Sequence, residues 1–139
     1  MFPPFTNILE LYLSPHSISS SRNDPFEAAA LSFLEGNGLK LLERNFRCRT
    51  GEIDLIMMEG DALVFVEVRA RSGRDRGGAA ESITISKQRR IASAAKYYLS
   101  RLKKIPECRF DAVLFEEKGK PEWIRGAFLE PDGRSSRFR

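Results

Sequence analysis

The stretch from Gly51 to Arg71 constrains the fold of this chain more than any other. Two runs, Glu52 to Met58 and Ala62 to Arg71, are dominated by aliphatic residues and flank Glu59-Gly60-Asp61-Ala62. Gly-Asp is a favoured two-residue hairpin turn, so the runs are predicted to pair antiparallel with Glu59 opposite Ala62. That register sets Met58 opposite Leu63, Ile56 opposite Phe65, Asp54 opposite Glu67 and Glu52 opposite Arg69. Period-two alternation then gathers Glu52, Asp54, Glu67 and Arg69 at one end of a single sheet face. The other face carries Ile53, Leu55 and Met57 beside Val64, Val66 and Val68. Both faces are largely apolar, as expected for a sheet covered on two sides.

Helical signals stand on either side of this hairpin. Asp24 suits an N-cap, Pro25 the first helical position, and Glu27 completes a capping-box spacing. Phe26, Ala30, Leu31, Phe33 and Leu34 follow with helical periodicity until Gly36-Asn37-Gly38 stops it. A strand is predicted over about Leu39 to Arg47. A long helix is predicted from Ser86 to Lys103, with Ile91, Ala94, Ala95, Tyr98 and Leu102 as its apolar stripe. Cys108 to Phe115 and Glu122 to Phe128 read as two further strands. The order α-β-β-β-α-β-β fits one α/β domain over residues 24–130, a central mixed β-sheet flanked by helices. Residues 1–23 read as a disordered or loosely docked extension, and residues 131–139 as a flexible tail.

Residue usage removes several kinds of chemistry. No apolar run approaches the ~18–20 residues of a membrane span. The start, Met1-Phe2-Pro3-Pro4, has no basic region of the kind a secretory signal needs. Two cysteines, Cys48 and Cys108, are too few and too distant for a zinc cluster or disulfide framework, and a cytoplasmic location is expected. They read as core thiols. The one histidine is His16, which argues against Ser-His-Asp or Cys-His catalysis and any multi-histidine metal site. Carboxylates, Lys, Arg and metal ions remain.

Charge is segregated along the chain. Residues 24–68 hold nine acids and four bases, whereas residues 69–104 hold eleven bases and two acids. A basic block beside an acidic one suggests a polyanion-binding surface next to a carboxylate cluster. Asp54 and Glu67, directly opposite, would have Cβ atoms ~5 Å apart. Two ionised carboxylates at that distance repel, and a cation such as Mg²⁺ between them removes the repulsion. The plainer alternative is a Glu52–Arg69 ion pair with Asp54 merely near a strand end. Glu27 divides evenly between closing its helix cap and facing the core. Lys87 and Gln88 read as a solvated first turn, Asp111 as buried against an arginine, and Trp123 as a packing residue.

The runs Gly51-Glu52-Ile53-Asp54-Leu55-Ile56, Val64-Phe65-Val66-Glu67-Val68-Arg69-Ala70-Arg71 and Ser86-Lys87-Gln88-Arg89-Arg90-Ile91 resemble the YraN-type bacterial proteins. Arg44-Asn45 with Arg47, Gly77-Gly78-Ala79-Ala80 and Cys108-Arg109-Phe110-Asp111 match the same pattern, and the resemblance covers about residues 24–129. That family in turn resembles the PD-(D/E)xK nucleases, whose fold is restriction-endonuclease-like, and among them the archaeal Holliday-junction resolvases. The nuclease pattern of a helical Glu, a strand Asp and Glu-x-Lys falls on Glu27, Asp54, Glu67 and Arg69. The resemblance implies a metal-dependent endonuclease with Mg²⁺ or Mn²⁺ held by Asp54, Glu67 and Glu27, acting on structured or branched DNA.

The chain departs from that pattern at Arg69, where the nucleases carry lysine. Arginine is not deprotonated in proteins and cannot serve as a general base, although it can stabilise phosphoryl charge. Lys87 is the candidate for the displaced lysine function. Arg71, Arg74, Arg76, Lys87, Arg89 and Arg90 are the expected contacts to the nucleic acid, DNA or alternatively RNA. No nucleotide cofactor or membrane is expected, and a homodimer is compatible with the sequence. The alternative functions are a nucleic-acid-binding protein that keeps the fold without turnover, and a scaffold for an acidic protein partner.

Overall fold

The computed structural model describes residues 24–70, 83–116 and 120–129. The expected N-terminal extension, the loop with Arg71, Arg74 and Arg76, and the expected tail all lie outside the described residues. Helix α1 (Pro25–Gly36) starts as its sequence dictates, with the Asp24 carboxylate accepting from the Phe26 N–H at 2.9 Å. Strands β1 (Lys40–Cys48), β2 (Gly51–Glu59) and β3 (Ala62–Ala70) follow. Helix α2 (Ile85–Ser100) is capped by the Thr84 hydroxyl, which accepts from the Lys87 N–H. It ends at Ser100 rather than at the expected Lys103, because Arg101 and Leu102 turn back onto the carbonyls of Tyr98 and Leu99. Strands β4 (Cys108–Phe115) and β5 (Glu122–Phe128) complete the domain.

The five strands form one sheet in the order β1-β2-β3-β4-β5. Only β3 and β4 run parallel, joined by a crossover that contains α2, so the sheet is mixed. Ala30 and Leu34 of α1 pack on one face with Leu55, Met57, Val64, Val66 and Val113. Ile91, Ala94, Ala95 and Tyr98 of α2 pack on the other with Phe46, Ile53, Ile56, Phe65 and Phe110. This α/β arrangement is consistent with a restriction-endonuclease-like fold. Among the described residues, no helix is long and apolar enough to cross a membrane.

The β2–β3 register is the expected one, from Glu59 opposite Ala62 to Leu55 opposite Val66. Gly60 has φ 58° while Asp61 keeps an ordinary φ, the combination a type II′ turn requires. Beyond Leu55 the regular pattern ends. Ile53 packs on the α2 face although Leu55 packs on the α1 face, so alternation breaks at Asp54. The neighbouring strand bends there too: Asn45, with φ 52°, falls between the pairs Arg44–Leu55 and Phe46–Ile53. The expectation that Ile53 shares a face with Leu55 and Met57 is therefore corrected, and the cause is this kink.

One glycine fixes the seating of α2. A Cβ on Gly51 would lie 1.9 Å from the Arg90 carbonyl oxygen, so only glycine allows this contact between β2 and the helix. The approach presses the first turns of α2 onto the end of the sheet where β2 and β3 part.

Candidate active site

Where the β2–β3 ladder stops, a side chain takes over from the backbone. The Val68 N–H donates to Asp54 Oδ2 at 2.8 Å. Glu67, only 4% exposed, shares a hydrogen bond with the Asp54 carboxyl group. Burial first, then the charge and hydrogen bond of Asp54, push the Glu67 carboxyl up to about 8 against the pull of Lys87 and Arg69. Asp54 is raised as well, chiefly by burial, with the Val68 N–H, Glu67 and Lys87 opposing. The pair thus favours a proton on Glu67, donated to Asp54.

A third acid enters this field from α1. Glu27 is buried and accepts from Asn45 Nδ2 at 2.8 Å, with Arg44 Nε 3.5 Å from the same oxygen. Its carboxyl is raised by burial and then by Asp54, while Arg44 and Asn45 act in the opposite direction. Of its two expected roles, Glu27 takes the inward one: Asp24 caps the helix, and Glu27 reaches toward β1 and Asp54.

The cations differ from expectation. Lys87 is not a solvated first-turn residue, because the contact at Gly51 brings it over the strands. Its Nζ lies 3.5 Å from Glu67 Oε2 and 3.9 Å from Glu52 Oε1. Glu52, expected opposite Arg69, pairs instead with Arg47, its register partner in β1, at 3.4 Å. The reason is that β2 stays with β1 after its ladder with β3 has ended. Arg69 is half-buried and acts on the charge of Glu67. Arg89 and Arg90 are exposed on α2, and Arg71, Arg74 and Arg76 lie outside the described residues.

The fold therefore brings Glu27, Asp54, Glu67, Arg69 and Lys87 into one electrostatic neighbourhood. Among the described residues, no three carboxylate, thiol or imidazole groups converge as a ready metal cage. Mg²⁺ needs less, since one or two carboxylates with waters and a substrate phosphate hold it. Two hard oxygen donors, whose charged forms burial disfavours, suit such an ion. Sequence reasoning missed Asn45 and Gly51 as the parts that hold the site. Asparagine inside a strand was the available signal, since Asn adopts positive φ more readily than most residues.

Another charged cluster lies toward the Gly60-Asp61 turn, across β2, β4 and β5. Asp111, fully buried, accepts from Arg109 Nε at 2.9 Å, Trp123 Nε1 at 2.9 Å and the Gly126 N–H at 3.0 Å. Arg109 and Arg125 both also donate to Glu59, and the Arg125 guanidinium sits 3.9 Å over the Trp123 ring. The expected arginine partner of Asp111 is thus Arg109, and Trp123 packs edge-on against Phe33. Cys48 and Cys108 are half-buried thiols against the α2-side core, and burial pushes the Cys108 thiol up to about 12.

Comparison with known proteins adds a family. A profile of the uncharacterised protein family UPF0102 matches residues 26–115. A UPF0102 protein of Janthinobacterium sp. (strain Marseille) is 48% identical over 119 residues, which cover 86% of this chain and 96% of the relative. One from Nitrosospira multiformis is 56% identical over 104 residues, covering 73% of this chain and 87% of its own. One from Alkalilimnicola ehrlichii is 51% identical over 120 residues, covering 85% and 92%. These names carry a family and no activity.

Proposed function

The chain belongs to the uncharacterised protein family UPF0102, the YraN-type proteins, and from that footing we propose that it is a metal-dependent endonuclease acting on structured or branched DNA. The observation that carries this reading is the Asp54–Glu67 pair. A buried carboxyl group, Glu67, and a half-buried one, Asp54, meet at the point where two strands part, each opposing the other's charge or bonded to it, with Lys87 beside them. A fold needs no such pair for its stability, because like charges in low dielectric cost free energy. Perturbed carboxylates of this kind concentrate at functional sites.

In this reading Asp54 and Glu67 hold Mg²⁺ or Mn²⁺, with Glu27 behind them. The bound ion supplies positive charge to phosphoryl oxygens and makes a water more acidic. Arg69 remains protonated throughout, so its part is to stabilise negative charge developing on phosphorus-bound oxygens. Lys87 carries three donors and, once released from Glu67, can orient a phosphate oxygen or a water. Arg89 and Arg90, with Arg71, Arg74 and Arg76, grip the phosphate backbone.

A second reading has its own support. Lys87 already sits at ion-pair distance from Glu67 and Glu52, as a structural cation would, and position 69 holds arginine. Those features favour a nucleic-acid-binding protein without turnover. Calorimetric titration with Mn²⁺ and Mg²⁺, followed by cleavage assays on duplex, fork, flap and four-way-junction DNA, separates the two. Metal binding with cleavage that Asp54→Asn abolishes supports the nuclease. Salt-sensitive DNA binding without metal uptake supports the binding module, and neither result points to the scaffold for an acidic protein.

A further inference from the structure

We propose that Asn45 is a positioning residue that holds the Glu27 carboxylate toward the Asp54–Glu67 pair, and that its unusual backbone conformation exists for this purpose. Among the described residues, Asn45 alone of the non-glycines has a positive φ, at 52°. It falls between the register pairs Arg44–Leu55 and Phe46–Ile53, beside Asp54. Left-handed backbone at a non-glycine residue is sparsely populated, and such residues cluster at functional sites. The return here is specific. The turn sends the side-chain amide toward α1, where Nδ2 donates to Glu27 Oε1 at 2.8 Å.

Among the described residues, one other donor group stands near the Glu27 carboxylate. Arg44 Nε stands 3.5 Å from the same oxygen and makes no hydrogen bond, although it is buried. A glutamate has three rotatable side-chain bonds, and burial together with Asp54 works against the ionised form of this one. The Asn45 amide favours that ionised form and fixes which way it points. A turn serving only the chain path would need glycine or any residue tolerant of left-handed backbone, not an amide aimed at a buried carboxylate.

That Glu27 is held as a metal ligand rests on the proposed nuclease reading, whereas the hold itself does not, and two measurements separate them. Asn45→Gly suits the test because glycine accepts the positive φ and removes only the side chain. In metal-free protein, ¹³C relaxation of the Glu27 methylenes should report higher mobility in Asn45→Gly, with the melting temperature close to that of the parent. Unchanged mobility overturns the positioning role, whatever the metal does. The second measurement is Mn²⁺ affinity by calorimetry for the parent, Asn45→Gly, Glu27→Gln and the double variant. Loss of a hydrogen-bond partner behind a ligand commonly weakens metal binding about 10–100-fold. Asn45→Gly should fall in that range, and the double variant should bind no more weakly than Glu27→Gln alone. Parent-like affinity in Asn45→Gly, or losses that multiply, overturns Asn45 as the support of a ligand. A parent protein that takes up no Mn²⁺ at millimolar concentration overturns the nuclease reading instead.

Discussion

Two clusters on this sheet hold the same kinds of side chain in opposite states. Toward the hairpin turn, Asp111 is fully buried yet accepts from two side chains and a backbone N–H, and Glu59 beside it is held by two guanidinium groups. Those guanidiniums keep the Glu59 carboxyl below its ordinary range. Where β2 and β3 part, Glu27, Asp54 and Glu67 are all raised, each of them chiefly by burial. Burial alone does not separate the clusters; the supply of donors does. A buried carboxylate with its hydrogen bonds complete ties strands together, and one left short of them is held raised.

The largest expected effect breaks the saturated cluster. Asp111→Ala leaves Arg109 with Glu59 alone and strands the Trp123 N–H and the Gly126 N–H, and losing one partner of a buried ion pair costs up to about 3–5 kcal/mol. Glu67→Gln should do the reverse, raising metal-free stability because a neutral amide replaces a carboxyl whose charged form burial and Asp54 disfavour. Thermal or urea unfolding of both variants decides the matter. If Glu67→Gln destabilises as Asp111→Ala does, the two clusters are alike and Glu67 is a structural carboxyl.

A smaller effect is expected at the helix contact that brings Lys87 in. Gly51→Ala places a methyl carbon against the Arg90 carbonyl, 1.9 Å away in the present structure, so α2 must shift. Forced overpacking costs about 1–3 kcal/mol. The loss should be accompanied by a change in the Glu67 titration, since Lys87 moves with the helix. A variant as stable as the parent would show that the contact does not set the position of α2.

Much of this was legible in the sequence. The Gly60-Asp61 turn fixed the hairpin register, and Asp24-Pro25 fixed the start of α1, because turn and cap chemistry act within a few residues. The reversal at Ile53, the Lys87 contact and the Glu52–Arg47 pair were not legible. Each depends on a non-local event: a kink in β1 at Asn45, the approach of α2 to Gly51, or the early end of the β2–β3 ladder. Period-two reasoning assumes that a strand stays regular to its end, and the site is where it does not. The candidates Asp54 and Glu67 were nameable because the hairpin register sets them opposite one another, and Glu27, Arg69 and Lys87 because the resemblance to the nuclease pattern falls on or beside them.

Titration sharpens the comparison through opposite slopes. Glu67 has a folded-state value of about 8 against 4.5 for the ordinary group, so its protonated form favours folding. That contribution is complete below about pH 4.5 and is lost as pH rises through about 8. Glu59 is lowered, so its contribution is present above 4.5 and is lost as acid protonates it. Unfolding free energy should therefore fall less steeply in Glu67→Gln than in the parent as pH rises from about 4.5 to about 8. On the acid side, Glu59→Gln should flatten the decline. Superimposable profiles for Glu67→Gln and parent between about pH 5 and about pH 8 would mean that burial beside Asp54 does not raise Glu67.

The smallest expected effect is the loss of Arg125. Its guanidinium is half exposed, stacks on Trp123 at 3.9 Å and donates to Glu59, so the contact resembles a surface cation–π pair worth about 0.5–1 kcal/mol. Arg125→Ala leaves Glu59 with Arg109 at 2.7 Å, and Asp111 keeps all its donors. Saturation is redundancy, and the expected cost by urea unfolding is below about 1 kcal/mol. The same deletion at the acidic site should not be buffered. Lys87→Ala removes a cation that opposes the rise at Glu67, so the Glu67 carboxyl should titrate still higher, visible by carboxyl ¹³C NMR. If Arg125→Ala proves as costly as Asp111→Ala, the far network is no more redundant than the site, and donor supply is not what distinguishes them.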